Sequence, residues 1–221
     1  MDASVENGQQ TTQEDGGDAP SAVFLLIVYV VAFVTGAIVM SFEMLGSRYL
    51  GPLFGSGIFT WASLISTVLA ALCVGYFLGG ALADRHPSAS VLAAIVAVGS
   101  VYLLLLPAFA QPVLQFFVWS IDDIKLGSLL SALAIMFFPV ALLGTYSPFA
   151  IRILLPSRRN SGVVSGTVYG VSTAGSILGT LGTTFYLIPL IGSRAITLTL
   201  GVSGLIAGAL LFAGGRSTRP R

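Results

Sequence analysis

The sequence predicts an all-α, polytopic membrane protein with six transmembrane helices, and three observations carry that prediction. Of 221 residues, 55% are hydrophobic and only 9% are charged, whereas a soluble domain gives about a quarter of its residues to charge. Six apolar runs are each long enough to cross a hydrocarbon core of about 30 Å, which takes ~20 helical residues. None of the runs alternates apolar with polar residues, as barrel strands do. The runs are 22–42, 57–82, 90–108, 127–147, 162–190 and 195–214.

Residues 1–21 hold Asp2, Glu6, Glu14, Asp15 and Asp18 and no Lys or Arg. Such a segment cannot bury a core and is expected to be a disordered acidic tail. It also lacks the basic start of a signal peptide, so 22–42 is the first span and not a cleaved leader. Glu43 and Arg48 follow it in Ser41-Phe42-Glu43-Met44-Leu45-Gly46-Ser47-Arg48, placed by this count at the outer interface. Five residues apart, they are turned by ~140° on a helix, so a direct pair needs a break near Gly46. Charge at a membrane edge calls for a partner or a polar cavity, an interfacial carboxylate in water being the alternative. Both are candidate ligand-binding residues.

The second span, 57–82, ends Gly75-Tyr76-Phe77-Leu78-Gly79-Gly80-Ala81-Leu82-Ala83-Asp84-Arg85. Gly75 and Gly79 form a G-x-x-x-G face that admits a neighbouring helix backbone. After the third span, Gln111 to Lys125 is too short to cross and too apolar for a free loop. It is expected to be a helix lying in the interface, with Trp119 at headgroup depth; the alternative is an extension of the third span past Pro107 and Pro112.

The fifth span, 162–190, is dense in small residues, including Gly166, Gly170, Gly175 and Gly179 with hydroxyls between them. Each pair of glycines four apart shares a helix face and suits close packing. Tyr169, Ser172 and Thr173 place hydroxyls at bilayer depth, where they need a helix, water or a substrate. The sixth span is followed by a short basic tail, 215–221.

Arg85, Arg152, Arg158, Arg159, Arg216, Arg219 and Arg221 fall on the side of both termini, against Arg48, Lys125 and Arg194 on the other. The excess of positive charge inside predicts cytoplasmic termini in the cell membrane. A net charge of +1 without a basic cluster gives no footing for nucleic acid. One His and one Cys exclude a Ser-His-Asp or Cys-His set, a disulfide framework and the commoner zinc sites. No catalytic residue, metal or cofactor is expected. On this count no carboxylate lies near the middle of a span, which leaves a proton relay without a carrier.

A faint internal repeat pairs Leu45-Gly46-Ser47 with Leu143-Gly144-Thr145 and Ser66-Thr67 with Ser172-Thr173, and sets a G-x-x-x-G in each of spans two and five. With three spans per unit, the halves would be inverted.

These segments resemble the membrane-spanning spermidine synthase-like proteins, fusions of a major-facilitator module with a spermidine synthase. Carrying the likeness are Glu43 to Arg48, Leu53-Phe54-Gly55-Ser56, Gly75 to Arg85, Tyr169-Gly170-Val171-Ser172-Thr173-Ala174-Gly175 with Gly179, and Pro189-Leu190-Ile191-Gly192. Family members typically have Asn-Thr where Ser172-Thr173 stands here. The resemblance implies six spans like one half of a major-facilitator bundle, with Asp84 and Arg85 as a latch between helix ends; a capping Asp and an inside-facing Arg are the plainer reading. It also implies an aminopropyltransferase domain after the last span, which the sequence to Arg221 does not include. The expectation is a module that transports or presents a polyamine or similar small organic cation, alone, as a homodimer, or beside a separate soluble aminopropyltransferase. The alternative is a non-transporting membrane anchor or assembly subunit for such a partner.

Overall fold

The computed structural model describes residues 21–155 and 161–217. Among them there is no strand, and six helices are long and apolar enough to cross a membrane. We number these α1 (Ala22–Phe54), α2 (Ile58–Arg85), α3 (Ala89–Ser120), α4 (Ile124–Leu154), α5 (Ser161–Leu190) and α6 (Ser193–Ser217). The expected acidic tail lies outside the described residues except for Ser21, whose Oγ accepts from the Phe24 N–H and caps α1. Of the expected basic tail, 215–217 continue α6 and the rest lies outside the described residues.

Three helix ends depart from expectation, that of α4 by running past residue 147 to Leu154. α1 does not stop at residue 42 but runs through Glu43, Gly46 and Arg48 to Phe54. Gly46 is no break, because it sits where a side chain would strike Leu64 and Met136. The helix ends at Gly55, whose φ of 79° suits a residue without Cβ. Nor is there a separate interfacial helix after the third span: α3 continues through Pro107 and Pro112 to Ser120, carrying Trp119 outward at 85% exposure. Each proline removes one backbone donor, and the helix tolerates both losses with its apolar residues in register.

Prolines act differently in α4 and α5. A π turn, Leu133–Phe137, precedes Pro139, and another, Thr183–Leu187, precedes Pro189. A proline ring collides with the carbonyl four residues back, and one extra residue in the turn relieves that collision.

The two halves of the chain pack as equivalent, inverted sets. α1 packs on α5 and α6, α4 packs on α2 and α3, and α3 packs on α6. Exchanging α1 with α4, α2 with α5 and α3 with α6 maps this arrangement onto itself. The match extends to residues. A Cβ at Gly75 would strike the Ala141 carbonyl, and one at Gly175 the Phe33 carbonyl. Gly79 stands in the same way against Thr145, and Gly179 against Ala37. Reciprocally, Gly144 meets Leu72 and Gly36 meets Ser172. The paired G-x-x-x-G faces of α2 and α5 are thus equivalent, but the rest of the expected register is not: Gly144 corresponds to Gly36 and not to Gly46, and Ser172 to Leu72 and not to Ser66.

Hydroxyls reinforce the close α1–α5 seam. Ser176 Oγ donates to the Gly36 carbonyl at 3.2 Å, and Ser41 Oγ to the Gly179 carbonyl at 3.1 Å. On the α1–α4 side, buried Tyr146 donates its hydroxyl to the Val28 carbonyl at 2.7 Å. Gly214 stands against Phe24 and Ile27, and Gly215 against Ala89, so the described chain ends lie at one end of the bundle. Among the described residues, Arg85, Arg152 and Arg216 lie at that end and Arg48, Lys125 and Arg194 toward the other. The expected charge bias therefore rests on Arg158, Arg159, Arg219 and Arg221, which lie outside the described residues.

Candidate functional site

Where the inverted halves meet, a cavity of about 60 Å³ lies between α1, α2, α4 and α5. Its lining obeys the same exchange. Thr35, Gly36 and Val39 of α1 face it alongside Leu143, Gly144 and Ser147 of α4, and Leu72 and Tyr76 of α2 alongside Ser172 and Ser176 of α5. The glycines explain why space remains there: at Gly36 and Gly144 the backbones approach, so the side chains one turn on cannot meet. Hydroxyls from all four helices line it, in a volume with room for a few waters.

Glu43 does not line the cavity but lies one turn beyond its wall. It follows Val39 and Met40 by one turn and Gly36 by two, on the same face of α1. It is 9% exposed, and among the described residues it has no ion pair and no hydrogen bond. The expectation that the first helix closes at Glu43 is corrected: α1 continues for more than two turns beyond it, and the carboxyl is buried within the bundle. Arg48 is exposed and does not pair with Glu43, because α1 stays helical between them.

The remaining candidates are only partly gathered here. Ser172 lines the cavity, and its carbonyl accepts from Ser176. Tyr169 is one turn from Ser172 on the same face of α5, at 43% exposure. Thr173 is exposed. Of the expected packing glycines, Gly75, Gly79, Gly175 and Gly179 touch neighbouring backbones, whereas Gly166 and Gly170 have nothing within reach.

At the end of the bundle that carries the chain ends, Asp84 accepts from Arg152 Nε at 2.9 Å, joining the end of α2 to that of α4. Arg85 makes no ion pair among the described residues. The positions equivalent to Asp84 and Arg152 in the other half are Thr184 and Met44, so this tie exists at one end only. Thr35, Tyr76, Ser147 and Ser176 were not among the expected site residues, nor was Arg152 expected as the partner of Asp84. Tyr76 and Ser176 occupy matched positions, whereas Thr35 and Ser147 match Leu143 and Val39.

Among the described residues no group of His, Cys, Asp and Glu could hold a metal ion. Comparison with known proteins returned no match among family models, curated proteins or solved structures. The likeness to the spermidine synthase-like proteins rests on the residues quoted for it alone.

Proposed function

We propose that the chain is the membrane module of a spermidine synthase-like protein and that it transports or presents a polyamine or a similar small organic cation. The observation that carries this reading is Glu43, a buried carboxyl without a cationic partner among the described residues, one turn from a hydroxyl-lined cavity between inverted halves. Binding sites of many transporters lie at such repeat interfaces. An ionisable group buried in a membrane bundle marks a candidate functional site, and an ammonium would supply the charge this one lacks. Tyr76, Ser172 and Ser176 offer oxygens to further N–H groups. Because the cavity holds only a few waters, passage requires the two halves to part around it; Asp84–Arg152, which joins α2 of one half to α4 of the other, would then bias which end opens. Both termini are assigned to the cytoplasm of the cell membrane.

Labelled spermidine uptake into proteoliposomes tests this. Wild-type protein should exceed empty vesicles, and Glu43→Gln should fall to their level. Uptake by neither, or by both equally, contradicts the reading.

A second reading is a non-transporting anchor for a soluble aminopropyltransferase or another partner. The exposed face of α5 favours it: this is the least apolar and least buried span, and Gly166 and Gly170 meet no neighbour. A second copy of the chain would cover the same face and place two cavities side by side. Affinity purification that recovers neither a second copy nor a stoichiometric partner removes this option.

A further inference from the structure

A second opening faces outward, near the chain ends and away from the central cavity. α2 and α3 barely touch, and the wedge between them is a groove of about 440 Å³ floored by Leu142 of α4. Leu78, Ala81 and Leu82 of α2 form one wall and Ile95 of α3 the other. Leu78, Ala81, Leu82 and Arg85 share a helix face, with Arg85 at the mouth about 10 Å along the axis from Leu78. The neighbouring acid, Asp84, is already held by Arg152, and Arg85 has no ion pair among the described residues.

The groove is thus an apolar slot, two helical turns long, that ends in a guanidinium unpaired among the described residues, at the last residue of a membrane helix. The slot suits a hydrocarbon chain, and the guanidinium, at headgroup depth, suits a phosphate. A soluble anion would leave the slot unused. A zwitterionic lipid brings its own ammonium to the phosphate and gains less from Arg85. We propose that this groove binds one anionic glycerophospholipid, with an acyl chain along Leu78, Ala81 and Leu82 and the phosphate on Arg85. This site is separate from the central cavity and does not depend on what the cavity carries.

The test is the thermal shift of the purified full chain in detergent, titrated with phosphatidylglycerol or with phosphatidylcholine of the same acyl chains. Phosphatidylglycerol should raise the melting temperature more than phosphatidylcholine. Arg85→Gln should abolish that difference, Arg85→Lys should keep part of it, and Ala81→Trp, which fills the slot, should abolish the response to both lipids. Equal responses of the wild-type protein to the two lipids overturn the proposal, even if a variant fails to fold. So does a difference that survives Arg85→Gln, or equal protection by glycerol phosphate without acyl chains.

Discussion

At the scale of the residue, the structure separates glycines that the sequence makes look alike. Gly175 leaves no room for a Cβ beside the Phe33 carbonyl, whereas Gly166 faces open space. Gly175→Val should therefore destabilise the bundle by roughly 1–3 kcal/mol through overpacking. Gly166→Ala should raise stability by up to about 1 kcal/mol through helix propensity. Chemical unfolding of the two variants in detergent measures both. The Asp84–Arg152 pair is exposed on both sides, so water screens it. Its coupling energy in a double-mutant cycle with Asp84→Ala and Arg152→Ala should be below about 1 kcal/mol. Removing the Tyr146 hydroxyl by Tyr146→Phe should cost on the order of 1 kcal/mol, the usual net value of one hydrogen bond. What sequence reading missed at this scale was Glu43 as a buried acid. A charge following an apolar run looks like a span end, and only the packing of Gly46 against Leu64 and Met136 shows that the helix continues.

At the scale of the element, existence and type of the six helices were legible because long apolar runs admit no other membrane structure. Their ends were not, since helices project past the lipid and hydropathy stops reporting there: α1 and α3 each extend more than two turns beyond the expected limit. The expected interfacial helix failed for the same reason: the apolar segment after the third span belongs to α3, which runs through both prolines to Ser120. Pairing between elements gives a direct check. Ser63 Oγ of α2 and Ser128 Oγ of α4 lie in hydrogen-bond contact at 3.0 Å, which brings the two side chains face to face. In a Cys73→Ser background, Ser63→Cys with Ser128→Cys should cross-link on oxidation, tying α2 to α4. Failure to cross-link while the same thiols stay reactive contradicts that packing.

At the scale of the whole molecule, two inverted three-helix units enclose a cavity lined by matched positions. The repeat was only faintly legible because matched residues differ in kind: Phe33 answers Ala141, Leu72 answers Ser172, and Tyr76 answers Ser176. What the halves share is where backbones touch, and the paired glycines record only part of that. The site was legible to the same limited extent: Ser172 and Glu43 were found, and the hydroxyls opposite were not. Every functional reading above requires that the chain thread the membrane six times with both described ends on one side. Single cysteines at Ser21, Lys125, Arg194 and Arg216, each in the Cys73→Ser background, can be probed in sealed vesicles with a membrane-impermeant maleimide. The account predicts that positions 21 and 216 label from one side and positions 125 and 194 from the other; labelling of 21 and 216 from opposite sides, or of all four from one side, would contradict it.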